Sequence, residues 1–132
     1  MKRYSVAMLI ITGAVTMCIL AMPGRATNLR SEKEAVKFDE PVKLLNVILK
    51  GEYLFVHDEE KMARGEDCTY VYKYTDRKQG ELVVSFHCIP VTRQKADNFT
   101  ITVSMLPGVN LMELTEYKFA GSEEGHKVPQ GK

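Results

Sequence analysis

The fold of this chain is constrained most by short β-prone runs that alternate with turn signals after residue 35. Residues 99–105 alternate without error between apolar and polar side chains, as a half-buried strand does. Pro107-Gly108 then marks a turn, and no segment shows the sustained apolar period of a helix of normal length. About six to seven such runs predict an all-β fold, either a single antiparallel β-sandwich or a small barrel.

Two irregular segments interrupt this alternation. Residues 58–67 are charged, with helix formers at 59–64 and Gly65 as a stop, which predicts a surface loop with one helical turn. In the last predicted strand, at residues 111–119, the apolar alternation slips near Thr115. A β-bulge there would bring both halves of the strand onto the same face.

Residues 1–26 have the layout of a secretory signal peptide. Lys2 and Arg3 supply a positive start, residues 5–22 are almost wholly apolar, and a Pro-Gly break follows just before Ala26. We therefore expect cleavage after Ala26 and export to a periplasmic or extracellular compartment, where disulfides form. The alternative is an uncleaved segment that anchors the chain in a membrane, because the apolar run approaches the length of a membrane span.

Cleavage would leave residues 27–132 as a single β-domain, with a loose arm at 27–35 and a polar tail at 120–132. The full chain has 18 basic and 17 acidic residues, and removing the signal peptide leaves 15 basic residues against the same 17 acidic ones. This near balance lacks the basic patch that nucleic acids or anionic lipids require. We therefore expect no nucleic-acid partner.

Two cysteines, Cys68 and Cys88, remain in the predicted mature chain and flank a predicted hairpin. Pairing Thr75 with Glu81 around a loop at residues 76–80 places Cys68 opposite Cys88. A slip of one residue would set apolar side chains of one strand against polar side chains of the other. This register predicts a Cys68–Cys88 disulfide that contributes on the order of 3 kcal/mol. The alternative is a pair of reduced, buried thiols.

Three tyrosines, Tyr70, Tyr72 and Tyr74, share one face of the predicted hairpin. On a partly open sheet, such a row could bind a carbohydrate ring or a partner chain. In the register above, the tyrosines stand opposite three apolar side chains, which favours core packing over ligand binding. The opposite face, which carries Val71, is predicted to be mostly polar.

Three histidines, His57, His87 and His126, are the candidates for metal ligands in an exported β-domain. The blue-copper pattern places a histidine and then a methionine shortly after the cysteine, but no histidine follows Cys88 until His126. His57 ends its strand at a charged loop, and scattered histidines are more often surface residues than ligands. The sequence therefore predicts no metal and no other cofactor.

The chain carries no recognisable catalytic motif. It has no G-x-S-x-G, no H-E-x-x-H, no phosphate-binding loop and no C-x-x-C. The acidic run at residues 58–60 lacks the interleaved spacing of a calcium loop. Asn98 begins a glycosylation sequon, which matters only in a eukaryotic source. We therefore predict that the protein is not an enzyme.

Three segments of the chain resemble a group of short exported bacterial β-rich proteins of unknown function. They are F-D-E-P-V at residues 38–42, G-E-Y-L-F at 51–55 and G-H-K-V-P at 125–129. In that group, an F-x-x-P-V segment precedes an L-P-x-G-x-Y-x-F strand, and the chain ends near G-H-x-x-x-x-P. This chain departs from the pattern at Leu49, where the group usually has proline, and it adds the cysteine pair. The resemblance implies an exported β-rich domain and carries over no active-site residue.

These patterns favour an exported, non-enzymatic β-sandwich that binds a partner or has a structural role. The partner would be a protein, a carbohydrate or another component of the cell envelope. One alternative is a periplasmic metal-binding or carrier protein that uses the histidines together with Met105 and Met112. Another is a small hydrolase that uses carboxylates outside the known motifs.

Overall fold

Eight strands and one short helix make up residues 31–130, the part of the chain that the computed structural model describes. The strands are β1 (Ser31–Leu44), β2 (Val47–Asp58), β3 (Thr69–Thr75), β4 (Lys78–Phe86), β5 (Ile89–Thr92), β6 (Thr100–Met105), β7 (Met112–Lys118) and β8 (Glu124–Lys127). The helix, α1 (Glu59–Ala63), lies between β2 and β3. The predicted signal peptide lies outside the described residues.

The eight strands form one mixed sheet in the order β4-β3-β2-β1-β7-β8-β5, with β6 paired to β7, and the sheet is not closed. The all-β prediction is confirmed. The prediction of a purely antiparallel arrangement of six to seven strands is wrong, because β1 and β7 are parallel, with Val42 opposite Met112. These two strands are far apart in the chain, which leaves room for the long crossover that parallel neighbours need.

The sheet curls, so that strands that do not pair face one another across the core. Phe55 of β2 packs edge-on against Tyr117 of β7, with ring centroids 5.5 Å apart, although β1 lies between these strands in the sheet. The core therefore lies between the two halves of one curled sheet, on either side of β1. Its buried apolar side chains are Phe38, Val42, Leu44, Leu49, Tyr53, Phe55, Cys68, Val71, Phe86, Cys88, Leu114, Tyr117, Phe119 and Val128.

The ends of the described region are more structured than the sequence predicts. Residues 31–35, predicted as part of a loose arm, belong to β1 and pair with residues 54–58 of β2. The predicted polar tail contains β8, and Val128 just beyond it is buried. Both corrections have one cause: short charged segments are held by backbone pairing to a neighbouring strand, which side-chain polarity does not reveal.

The charged segment after β2 forms the predicted single helical turn, which confirms that interpretation. Asp58 caps α1 by accepting a hydrogen bond from the backbone N–H of Lys61 at 3.1 Å. Gly65 has a φ of +74°, the left-handed conformation that ends many helices. Within residues 31–130 no helix has both the length and the apolar character needed to cross a membrane.

The β3–β4 hairpin closes with a two-residue turn, and the predicted five-residue loop is wrong. Asp76 and Arg77 both have positive φ values, 52° and 61°, as a type I′ turn requires. Thr75 pairs with Lys78, so residues 78–80 belong to β4. The strand pairing is therefore offset from the predicted register, and two irregularities, each with an extra residue on β4, change it again further along.

This register reverses the predicted faces of β3. Val71 stands opposite Val84 and is fully buried, whereas the face that carries Tyr70, Tyr72 and Tyr74 is only half-buried. The rings of Tyr70 and Tyr72 stack on that outer face with centroids 6.4 Å apart. The prediction that the tyrosines pack in the core is therefore wrong.

The neighbouring strand explains this orientation. On β2, Phe55 and His57 face the core, and they pair with Val71 and Thr69 of β3. Directly opposed residues share a face of the sheet, so Thr69 and Val71 also point inward. The order of polar and apolar residues along β3 alone does not contain this information.

The bulge predicted near Thr115 is present. Thr102 of β6 pairs with Glu116 of β7, whereas the next residue, Val103, pairs with Leu114. Thr115 is therefore the extra residue, and its hydroxyl donates a hydrogen bond to the Thr102 carbonyl at 3.2 Å. The bulge turns both Leu114 and Tyr117 into the core.

Candidate metal centre

Two histidines from separate strands lie at one end of the core. His57 follows Tyr53 and Phe55 on the inward face of β2, because alternate residues of a strand share a face. His126 lies on β8 and pairs with Tyr117 of β7. The two imidazole rings have centroids 3.9 Å apart, and the residues are 1% and 2% exposed.

The position of His126 depends on a close approach at the residue before it. A Cβ atom on Gly125 would lie 3.0 Å from Cγ of Arg93 and 3.0 Å from a carboxylate oxygen of Glu116. Arg93 and Glu116 form an ion pair whose shortest distance is 2.8 Å. Glycine therefore lets β8 pass directly under this ion pair, which fixes where His126 enters the core.

Cys68 and Cys88 lie in the connections beside the hairpin, not opposite each other within it. Cys68 donates its backbone N–H to the Phe86 carbonyl at 3.1 Å, and the N–H of Cys88 donates to Sγ of Cys68 at 3.2 Å. Both cysteines are fully buried free thiols, with Sγ atoms 2.7 Å apart. A disulfide bond measures about 2.05 Å, so the predicted bridge stays a prediction.

Cys88 brings a sulfur atom to the pair of histidines. The potential ligand atoms of His57, Cys88 and His126 all lie within 4.8 Å of one another. Sγ of Cys88 is 3.6 Å from Nδ1 of His126 and 3.8 Å from the thioether sulfur of Met62 on α1. Two imidazoles, a thiol and a thioether thus converge from four different segments of the chain.

Two buried polar atoms at this site have no hydrogen-bond partner among the described residues. One is Nε2 of His57, and the other is Oε1 of Glu124, which lies 3.6 Å from Nδ1 of His126. Burying such an atom without a partner costs about 1–3 kcal/mol. Because native proteins satisfy nearly all buried polar atoms, two unsatisfied atoms in one place indicate a site for a ligand or an ion.

The protonation of the site differs between its imidazole and its sulfur atoms. Burial, reinforced by the neighbouring His57, lowers the pKa of His126 to about 3, so its imidazole is neutral. A hydrogen bond from the Cys88 thiol lowers the pKa of Cys68 to about 4, and that same bond together with burial raises the pKa of Cys88. Cys68 is therefore the thiolate of the pair, and Cys88 carries the proton. A metal that binds through Cys88 must displace this proton, because neutral imidazole and thiolate are the forms that bind metals.

This donor set selects a class of metal. Imidazole and thiolate suit zinc and copper, whereas calcium and magnesium prefer oxygen ligands. Zinc sites commonly have four ligands, and copper sites often add a thioether. His57, Cys88 and His126 supply three ligands, and Met62 is near enough to supply a fourth after a side-chain adjustment.

The other residues singled out in the sequence lie elsewhere. His87 is exposed, and its Nδ1 lies 2.9 Å from the Glu66 carbonyl oxygen. Met105 and Met112 pair with one another across β6 and β7, and Met105 is 58% exposed. The interpretation of His57 as a surface residue is wrong, because the charged loop begins only after it. Sequence reasoning missed Met62, whose contact with Cys88 depends on how α1 folds back.

Comparison of the chain with protein-family models, with curated proteins and with solved structures gives no match. The resemblance to exported bacterial β-rich proteins therefore stays a prediction. The geometry of the candidate metal centre is therefore the basis for a functional proposal.

Proposed function

We propose that this protein is an exported metal-binding or carrier domain that holds one zinc or copper ion at His57, Cys88 and His126. One observation carries the proposal: three buried donor groups converge within 4.8 Å, and Nε2 of His57 among them has no hydrogen-bond partner in residues 31–130. This favours the metal-carrier alternative over a partner-binding module. Export remains an expectation from residues 1–26.

Electrostatics at the site support a cation. The pKa of Glu124 is raised by burial and then by the nearby carboxylates of Glu59 and Glu32. A cation placed between the histidines and Glu124 would offset this crowding of negative charge. It would also give His57 Nε2 the partner that the fold does not supply. One ion would thus offset both the crowded negative charge and the unpartnered nitrogen of the metal-free site.

The direct test is metal titration of the purified protein after reduction and removal of metal by a chelator. We expect one Zn²⁺ or one Cu⁺ per chain. Co²⁺ in place of Zn²⁺ should give a thiolate-to-metal absorption band, which reports coordination by cysteine. A titration without saturable binding of Zn²⁺, Co²⁺ or Cu⁺ would overturn the proposal.

Matched variants locate the ion. Cys88→Ser and His126→Gln should each weaken binding at least about 100-fold, since even the loss of an outer-shell partner costs 10–100-fold. His87→Gln changes an exposed histidine outside the group and should leave affinity unchanged. Far-ultraviolet circular dichroism checks that each variant is folded. Equal losses of metal affinity in His87→Gln and His126→Gln would show that the ion does not bind at the proposed group.

Met62→Leu tests whether the thioether is a ligand. Thioether ligands favour Cu⁺ and contribute little to Zn²⁺ sites. Met62→Leu keeps the size and apolar character of the side chain, so α1 should fold as before. A loss of Cu⁺ affinity with unchanged Zn²⁺ affinity would show that Met62 completes a copper site. Unchanged affinity for both ions would show that Met62 is not a ligand and would leave His57, Cys88 and His126 as the binding group.

A further inference from the structure

We infer that Cys68 and Cys88 form a redox switch for this metal centre, in which the thiol form binds metal and the disulfide form does not. This inference rests on the proposed function. Its basis is that Cys88 has two competing partners: Sγ of Cys68 at 2.7 Å, and the metal-binding group through Nδ1 of His126 at 3.6 Å. The Cys88 sulfur cannot form a disulfide with Cys68 and bind a metal as a thiolate at the same time.

A Cys68–Cys88 disulfide would prevent metal binding because it removes the sulfur ligand. A cysteine that binds a metal must do so as a thiolate, which carries a negative charge. In a disulfide, the Cys88 sulfur is bonded to Cys68 and is neutral, so the group loses its sulfur ligand. The two histidines and the thioether of Met62 then remain, and this set binds zinc far more weakly than a site that includes a thiolate does.

The oxidation is a thiol–disulfide exchange with a small disulfide, R–S–S–R, as the oxidant. One cysteine thiolate attacks this disulfide, forms a mixed disulfide and releases R–S⁻. The second thiolate then attacks the mixed disulfide, closes the Cys68–Cys88 bond and releases the second R–S⁻. The two released thiolates take up the two cysteine protons. Two electrons pass from the cysteine pair to the small disulfide, which leaves as two R–SH molecules.

The helix beside the cysteines provides a route to them. Both sulfurs are buried, and Met62 of α1 lies against Cys88. No residue of this five-residue helix is fully buried. Short elements with few buried contacts open at low free-energy cost. Opening of α1 would therefore expose the sulfurs to an oxidant or a metal donor while the strands stay paired.

Coupling between the two reactions must be reciprocal. If the disulfide prevents metal binding, then bound metal must oppose disulfide formation by the same free energy. In an oxidising compartment, metal loading and disulfide formation would then compete for Cys88. The protein would hold metal only when loaded before oxidation or when a reductant acts on it.

The test compares two preparations of the same protein. One is kept reduced, and the other is treated with oxidised glutathione, which is then removed. Intact mass should show a loss of two hydrogens, and peptide mapping should place the bond between Cys68 and Cys88. Titration with Zn²⁺ should then show at least a 100-fold weaker affinity in the oxidised preparation, restored by reduction.

Cys68→Ser separates loss of the switch from loss of a ligand. Under reducing conditions this variant should bind Zn²⁺ within about tenfold of the native protein, because its three-ligand group is intact. A disulfide-bonded protein that binds Zn²⁺ as tightly as the reduced one would overturn the switch and leave the proposed function standing. Absence of Zn²⁺ binding by the reduced protein would overturn the proposed function itself. Failure of the Cys68–Cys88 bond to form would overturn the switch alone.

The effect of bound metal on the rate of disulfide formation is a second test of the switch. Zn²⁺-loaded protein should form the disulfide at least tenfold more slowly than metal-free protein in the same glutathione buffer. His126→Gln, which should not retain the ion, should lose this protection. Equal oxidation rates with and without Zn²⁺ would contradict the switch, provided that titration shows the ion bound.

Discussion

His57 and His126 stack their imidazole rings across the core, although their strands, β2 and β8, are not neighbours in the sheet. Burial and the adjacent His57 lower the pKa of His126 to about 3, so His126 is neutral in this stacked pair. Apolar aromatic rings would fill the same space without leaving a nitrogen unsatisfied. The pair is therefore a costly choice for a core, which fits a site kept for its ligand atoms.

His57→Phe should leave the metal-free protein about as stable as the native one. The phenyl ring keeps the aromatic packing and removes the unpartnered Nε2, while the polar interaction by which His57 lowers the pKa of Cys68 is lost. These effects oppose each other, so we expect a change in the free energy of unfolding below about 1 kcal/mol. Urea denaturation in the presence of chelator and reductant measures it.

Phe55→Ala is the matched comparison on the same strand face. Phe55 is fully buried and packs against the rings of Phe38, Phe99 and Tyr117, so its truncation should cost about 3–5 kcal/mol. If His57→Phe lost as much stability as Phe55→Ala, His57 would be a structural residue rather than one retained for ligand binding.

Features of this structure that depend only on neighbouring residues were predictable from the sequence. The helix stop at Gly65 and the bulge at Thr115 depend on backbone conformation and period-two alternation, which neighbouring residues encode. The hairpin register was not predictable, because Asp76-Arg77 is not a strong type I′ turn sequence. The polar and apolar pattern of the two strands therefore favours a loop at residues 76–80, whereas the structure has a two-residue turn.

The candidate metal centre could be predicted only in part. His57 continues the inward alternation of Tyr53 and Phe55, and His126 alternates with the buried Val128. These signals would have placed both histidines in the core. Their contact with each other depends on the curl of the sheet, which brings β2 and β8 together. No pattern within a single strand encodes that curl.

Thr69 and Tyr117 should show strongly non-additive effects on stability. Their hydroxyl groups hydrogen-bond to one another, and both residues are almost completely buried. Burial raises the pKa of Tyr117, so its phenol stays neutral. Thr69→Val or Tyr117→Phe alone leaves one hydroxyl unsatisfied and should cost about 1–3 kcal/mol. The double variant removes both hydroxyls and should cost less than the two single changes together.

A double-mutant cycle by urea denaturation of the reduced, metal-free protein measures this coupling. We expect an interaction free energy of at least about 1 kcal/mol. Strict additivity of the two single changes would show that the hydroxyls do not depend on one another.

Glu116 should make stability depend on pH in the acidic range. The Arg93 guanidinium, which donates hydrogen bonds to both carboxylate oxygens, holds the pKa of Glu116 below its usual value. The unfolded chain therefore binds this proton more readily than the folded protein does. The stabilisation is fully present above the usual glutamate pKa near 4.5 and is lost as pH falls through the lower folded value.

The difference between native protein and Glu116→Gln isolates this contribution from other titrating groups. At pH 7 the variant should be less stable by about 1 kcal/mol, the upper range for a partly exposed ion pair. At pH 3 the difference in free energy of unfolding between the two proteins should be smaller, because Glu116 becomes protonated as the pH falls. Arg93→Gln should reproduce the same trend. A difference that stays constant from pH 7 to pH 3 would show that the ion pair does not stabilise the fold.

Arg77→Gly should stabilise the protein through the β3–β4 turn. Arg77 has a φ of 61°, a left-handed conformation that costs a non-glycine residue about 1–2 kcal/mol. Glycine adopts it without steric cost, although it increases the entropy of the unfolded chain, which offsets part of the gain. We expect a net increase of about 0.5–1 kcal/mol in the free energy of unfolding. Arg77→Ala removes the same exposed side chain but keeps the Cβ atom, so it should give no comparable gain in urea denaturation. Equal stabilisation by glycine and alanine would trace the effect to the arginine side chain instead of the backbone.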